Sequence, residues 1–348
     1  MELALGTEPR QEYYAFELAA GAKKLVEDIM RVQAGENVAI TADTASDWRV
    51  VQAVAQAAFT AGARPVVLWY ETRPNAQMEP PPPVAHAVEV ADVWIELAVA
   101  YILYTEARQK ATQAGCRYAC MSGMDVDMIV RTIGRVNYPK MLELGDKLCE
   151  LTQQADEIRM TSPAGTDLLA HQGGRPVRQS GGLGDKKGAS VMLGGQVAWL
   201  PLVDTIQGTL VFDAALWPPA ELGVLSSPVT LTLEKGFIKK IVGGAEASVF
   251  EKWLSSFDDP KMYRLAHYTY GFNPGVTRPM GRIVEDERIF GCIEFGIGST
   301  MDWRAASHTD GVVLNPSVWL DGEPIEEHGK YVHPELARIC REMNMPGY

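Results

Sequence analysis

The chain has 348 residues, 47% of them hydrophobic and 22% charged, with a formal net charge of −12 and no basic run. An acidic surface repels phosphate backbones, so nucleic acid is excluded as an expected partner. No apolar window reaches the length of about 18 residues that a membrane span needs, and the opening MELALGTEPRQEYY lacks the basic and apolar regions of a secretory signal.

The chain is longer than one core usually holds, so two domains are expected. A helix is predicted from Glu12 to Val32, where Phe16, Leu18, Ala19, Leu25 and Ile29 recur at helical spacing, with Gly35 as its stop. Asn37–Ile40 reads as a short strand. Thr44 or Ser46 is the expected cap of a second helix running to Ala61, and Gly62 ends it. Pro65–Tyr70 is the next strand. The proline run Pro80–Pro83 predicts a loop, because proline removes a backbone donor. Val93–Leu97 is a third strand, Thr105–Ala114 a helix and Arg117–Met121 a fourth strand. Strands alternating with helices imply parallel crossovers and an open α/β sheet over residues 1–156. No G-x-G-x-x-G or Walker sequence follows any strand, so no nucleotide motif supports that kind of cofactor.

A helix at Lys140–Ala155 leads into a change of texture. Glycine pairs recur from Gly173–Gly174 to Gly243–Gly244, and the strand patterns shorten to Leu210–Phe212, Val229–Leu233 and Phe237–Val242. Helical pattern is sparse except near Ser248–Ser256. Residues 157–348 therefore read as a second, β-rich α+β domain.

The five cysteines, Cys116, Cys120, Cys149, Cys292 and Cys340, are odd in number and irregularly spaced, which predicts reduced thiols in a cytoplasmic protein. No G-x-S-x-G occurs, so a serine nucleophile has no motif behind it. His308-Thr-Asp310 has the i, i+2 spacing that puts both side chains on one face of a strand, within reach of one ion. His267, in Leu-Ala-His-Tyr-Thr-Tyr-Gly, follows an expected helix end. Two histidines and one carboxylate can form a facial triad with open positions, an arrangement that suits Fe(II). Glu294 lies in the apolar stretch Gly-Cys-Ile-Glu-Phe-Gly-Ile-Gly. If buried it needs a partner, and a metal or an arginine would serve; the alternative is an edge position facing water. Thr161–Asp167 reads as a turn held by an Asx-type bond from Asp167. Tyr104 sits past the third strand, where open α/β sheets place ligands.

Several of these segments resemble a known superfamily. Gly35-Glu-Asn-Val-Ala-Ile40, the helix ending Ala61-Gly-Ala63 before Pro65-Val-Val67, and Thr161-Ser-Pro-Ala-Gly-Thr-Asp167 resemble the thermophilic aminopeptidase (M29) superfamily. Leu231–Ile238, Gly243-Gly244, Phe257-Asp-Asp-Pro260, Ala266-His-Tyr-Thr-Tyr-Gly271 and Ser307-His-Thr-Asp310 are closer to one branch, the 2,5-dihydroxypyridine 5,6-dioxygenases of nicotinate breakdown.

The resemblance implies a mononuclear Fe(II) held by His267, His308 and Asp310. It implies an extradiol-type ring-cleaving dioxygenase, acting on a small hydroxylated N-heterocycle with dioxygen as co-substrate, and a homo-oligomer. The aminopeptidases instead hold two metals. One of their glutamates aligns with Gln196 here and another with His267, which argues against a two-metal peptidase, since a neutral amide is a poor bridging ligand. Three departures from the dioxygenase pattern follow from the same alignment. Tyr104 stands where that branch has a histidine base. A phenol has an ordinary pKa of about 10, so Tyr104 is expected to donate a hydrogen bond to substrate rather than act as a base. Glu294 stands where the peptidases place a metal-binding histidine. The histidines that the dioxygenases carry after the glycine-rich loop are missing from Gly181–Val191. The alternative expectation is a hydrolase of a small amide or peptide that uses Zn²⁺ or Mn²⁺, with Glu294 as ligand or base.

Overall fold

The computed structural model describes residues 14–300 and 302–348. The expected start of the first helix at Glu12 and most of the opening segment lie outside them. By contact the chain forms two compact units: the chain up to Arg135 together with Leu183–Met192, and Val136–Gly182 together with Leu193–Tyr348.

The first unit opens with α1 (Ala15–Lys23), which runs into a π-helical segment, Lys24–Ile29. Leu18, Ala22, Leu25, Val26 and Ile29 are the buried face. Then come β1 (Asn37–Asp43), α2 (Trp48–Thr60), β2 (Arg64–Tyr70), α3 (Pro82–Glu89), β3 (Val93–Glu96), α4 (Glu106–Gln113), β4 (Arg117–Cys120) and α5 (Val126–Ile129); the four strands, α2 and α4 are where the sequence predicts them, whereas α3 and α5 are not foreseen. The strands are ordered β2-β1-β3-β4, all parallel. A fifth parallel strand, Ser190–Met192, joins beside β4 from much later in the chain. It is too short for its period to be read from sequence.

Two local expectations are corrected. The cap of α2 is Asp47, whose carboxylate accepts from the Arg49 amide, while Ser46 donates instead to Asp43. The proline run is not all loop, because Pro82 and Pro83 open α3. Proline is tolerated in the first turn of a helix, where the missing N–H would have no partner anyway.

The second unit begins with α6 (Tyr138–Gln154), β5 (Glu157–Thr161), β6 (Asp167–His171) and β7 (Val177–Gln179); β8 is the Ser190–Met192 strand of the first unit. There follow β9 (Gln196–Trp199), β10 (Gln207–Phe212), β11 (Ala215–Trp217), β12 (Gly223–Val224), β13 (Val229–Glu234), β14 (Phe237–Gly243), α7 (Ala245–Ser255) and β15 (Leu265–Gly271). The chain ends through α8 (Ile283–Asp286), β16 (Cys292–Gly298), β17 (His308–Val313), β18 (Ser317–Leu320), β19 (Glu323–Glu327), β20 (Lys330–Tyr331) and α9 (Pro334–Glu342).

These strands make two antiparallel sheets, one of eight strands ordered β14-β13-β10-β6-β5-β18-β19-β20 and one of seven ordered β12-β11-β17-β16-β15-β9-β7. This is the β-rich α+β region expected. The hairpin of β5 and β6 is closed by bonds between Ser162 and Thr166, not by Asp167. The Asp167 carboxylate pairs with Arg159 across the hairpin at 3.4 Å.

One face of the seven-stranded sheet is apolar core. Phe295 meets Phe212 of the other sheet at 6.5 Å between ring centroids, and Trp199 stacks on Tyr270 at 4.5 Å. Gly311 gives Phe212 its room, since a Cβ there would come within 2.5 Å of that ring. The opposite face carries the polar residues considered next. Among the described residues no helix is long and apolar enough to cross a membrane, and all five cysteines are free thiols.

Candidate metal centre

Strand period and register decide which side chains meet. In an antiparallel pair, opposed residues share a face. His267 on β15 is opposite Gly296 on β16, and Gly296 is in turn opposite Asp310 on β17. His308 is opposite Gly298, and Glu294 is opposite Thr269. Glu294, Gly296 and Gly298 alternate along β16 and so lie on the same face as His267, His308 and Asp310. Because Gly296 has no side chain, the histidine and the aspartate lean over it from both sides. A Cβ at Gly296 would lie 2.3 Å from the His267 ring.

The resulting distances are short. His308 Nε2 lies 2.8 Å and His267 Nε2 lies 3.4 Å from Asp310 Oδ1. His267 Nε2 is also 2.9 and 3.1 Å from the two Glu294 oxygens. One donor atom from each of His267, His308 and Asp310 lies within 4.8 Å of the others, a grouping able to hold a metal ion. His308 Nδ1 donates to the Ser299 carbonyl at 2.7 Å. A carbonyl can only accept, so this bond fixes the proton on Nδ1 and turns Nε2 inward, the usual way a ligand histidine is oriented.

Charge is concentrated here. Burial would lower the His267 pKa, but the Glu294 charge and hydrogen bonds to Asp310 and Glu294 outweigh it and hold it well above the ordinary value. His308 is likewise raised against its burial, by Asp310. Asp310 is held far below the usual carboxylate range, because its burial is outweighed by the two imidazoles. Burial pushes Glu294 up to about 8, opposed by its contact with His267. Burial thus favours the protonated form of Glu294, while the two imidazoles favour the ionised form of Asp310.

Glu294 is fully buried on a central strand, so it is not an edge residue facing water. Its partner is His267 rather than an arginine. The hydroxyl of Thr269, opposite Glu294 and fully buried, has no hydrogen-bond partner among the described residues. His267 lies within a strand, and the turn of 3₁₀ helix before it ends at Tyr263. Tyr104 belongs to the first unit, where it precedes the Thr105 cap of α4 and is 61% exposed.

Three features went unread in the sequence. The run Glu285-Asp-Glu-Arg288 looks like a solvated charged stretch. In fact Arg288 is fully buried, donating to the Leu193 carbonyl and to Gln196 Oε1, each at 2.9 Å. Gln196 in turn donates to Glu287, also at 2.9 Å. Glu287 is pushed up by burial, against Arg288, and it feels the charges of Asp310 and His267. Gly296 is the second feature; its only signal was the glycine spacing Gly296-Ile-Gly298. The third is Trp217, which lies opposite Asp310 on β11 and hence on the same face.

Comparison with known proteins gives one family model, described as 2,5-dihydroxypyridine 5,6-dioxygenase, over residues 22–333. A curated relative of that name from Pseudomonas putida is 27% identical over 201 residues, 54% of this chain and 57% of the relative. The aligned stretch thus spans little more than half of that protein. Among solved structures, the 2,5-dihydroxypyridine dioxygenase of Pseudomonas putida KT2440 superposes with a TM-score of 0.75 at 21% identity, covering 92% of this chain and 98% of the other. Wild-type AmpT from Thermus thermophilus gives 0.68 at 13% identity, covering 92% and 100%. At such identities the two structures speak for the fold, which is the one the resemblance implied. The family model covers most of the chain, and the chain belongs to the 2,5-dihydroxypyridine 5,6-dioxygenase (NicX) family.

Proposed function

We propose that the chain is an extradiol-type dioxygenase that opens a small hydroxylated N-heteroaromatic ring, such as a dihydroxypyridine, at a single Fe(II) held by His267, His308 and Asp310. The carrying observation is that two imidazole nitrogens and one carboxylate oxygen converge on one face of the sheet, with their donor atoms within 4.8 Å. The donor set fits the ion: two histidines and a carboxylate leave positions open for further ligands. The unpartnered Thr269 hydroxyl beside Glu294 also fits a face that receives a ligand or water.

When bound, Fe(II) supplies redox chemistry and binding positions for the ring's oxygens and for dioxygen. The chain's own residues do the rest. The Ser299 carbonyl keeps His308 Nε2 turned inward. Gly296 makes room for the His267 ring. Asp310 contributes a full negative charge. Glu294 lies beside His267 on the donor face, and its carboxyl, pushed up to about 8 by burial, puts a proton-carrying group there. The Gln196–Glu287–Arg288 chain stiffens the neighbouring edge of the site.

The test is oxygen uptake by the anaerobically loaded Fe(II) protein with a panel of dihydroxypyridines, beside amide hydrolysis with peptide anilides. One oxygen consumed per ring opened is expected. Hydrolysis without oxygen uptake would replace this reading with a metallohydrolase.

A further inference from the structure

We infer that Trp217 is the wall against which the aromatic face of the bound ring lies, and so a specificity-determining residue for planar substrates. The inference rests on the metal and ring-substrate reading above. It comes from register. Trp217 is directly opposite Asp310, and Leu216 is opposite Gly311. Side chains alternate across a strand, so Leu216 points into the core, where it is fully buried, and Trp217 points to the face of the three donors. Opposed residues on antiparallel strands have Cβ atoms about 5 Å apart, which sets the indole beside the Asp310 carboxylate.

Its backbone is fixed there. The Thr309 hydroxyl of β17 donates to the carbonyl of Pro218, the next residue. The indole is also the site-face neighbour of an apolar patch, since Ala215 and Val312 pack in one buried cluster with Cys292 and Val276. Elsewhere on this face Glu294 of β16 and Thr269 of β15, opposite each other, are both polar. A flat ring that binds a metal through oxygens on one edge needs an apolar surface for its face, and Trp217 is the aromatic side chain that the strand register sets beside the donors.

The experiment compares two chelators on the metal-loaded protein under anaerobic conditions. Catechol binds metals through two oxygens and has an aromatic ring; oxalate binds through two oxygens and has none. Calorimetry on Trp217→Leu, which keeps an apolar side chain and protects the fold, should show catechol weakened about 5- to 10-fold, the range expected for loss of an aromatic contact. Oxalate should change less than about twofold, and Trp217→Phe should recover most of the catechol affinity. In turnover, KM for the ring should rise with little change in kcat, the pattern of lost uniform binding. Equal weakening of both chelators, or unchanged catechol binding, overturns the role of Trp217 and leaves the metal reading intact. If neither chelator binds the wild-type protein, the metal reading fails and this inference fails with it.

Discussion

His267 Nε2 and Asp310 Oδ1 lie 3.4 Å apart although a whole strand, β16, separates the strands that carry them. Strands two apart in a sheet are about 9.5 Å from each other, so such an approach needs the residue between them to have no side chain. Gly296 meets that need, and its substitution is the most direct test of the arrangement. In Gly296→Ala the new Cβ would fall 2.3 Å from the His267 ring. The ring is the free end of a side chain and can swing away, so the fold should lose little, within about 1–3 kcal/mol. The metal site should lose much more. Expected are a near-normal thermal transition and a strong drop in metal bound per chain. Full metal content in this variant would show that His267 does not need its observed position.

His308 is held at both nitrogens, by Ser299 and by Asp310. His308→Ala removes a ligand and leaves the Asp310 charge with one imidazole fewer. One divalent metal per wild-type chain is expected, with iron giving the highest activity, and the variant should retain none after gel filtration. Elemental analysis of anaerobically purified protein reads both outcomes. Stoichiometric metal in the variant would remove His308 from the ligand set.

Metal binding should be strongly pH-dependent. Both imidazoles have raised pKa values in the metal-free protein, and a metal must displace the protons they hold. Affinity should therefore rise with pH through the neutral range, with protons released on binding. The stability consequence has a definite sign. A histidine whose folded pKa is raised adds stability that is fully present below its unfolded pKa of about 6.5 and is lost as pH rises through the folded value. The metal-free protein should thus weaken as pH rises, while the stabilisation gained from added Zn²⁺ grows. Calorimetry in buffers of different ionisation enthalpy counts the protons. A pH-independent affinity would contradict the charge arrangement described here.

What could be read in the sequence follows from what is local. The alternation of the first unit was legible because β1, β3 and β4 are buried runs between amphipathic helices. His308 and Asp310 were legible because a period of two places them together whatever the rest of the sheet does. His267 was legible only as a candidate, since its partners are 41 and 43 residues away along the sequence; family resemblance is what joined it to them. Glu287 and Arg288 were missed because a run of four charged residues ordinarily faces water, and nothing local says that Leu193 and Gln196 will cover it. Trp217 was missed because its meaning depends on register against β17. The whole of α3 was missed because proline in a first helical turn looks the same in sequence as proline in a loop.

The decisive substitution is Glu294→Gln. Glu294 is fully buried, touches His267 through both oxygens and stands opposite the unpartnered hydroxyl of Thr269. The amide keeps the size and a hydrogen bond but cannot carry the negative charge or take up a proton. If Glu294 orients His267 and receives a ring proton, the variant should keep its metal and lose activity about 10- to 100-fold, the usual effect of losing a partner that supports a ligand. The loss should fall mainly on kcat, since the ring would still bind. The wild-type pH profile of kcat should carry an ionisation in the neutral to mildly alkaline range that is absent from the variant, because the Glu294 carboxyl, pushed up to about 8 by burial, is the group removed. If Glu294 is instead a metal ligand, the variant should lose metal outright, and adding excess Fe(II) should restore part of the activity. Metal content, kcat and the pH profile measured on one preparation separate the two cases. A variant with full metal and full activity would assign Glu294 to neither role and leave its burial beside His267 a feature of packing alone.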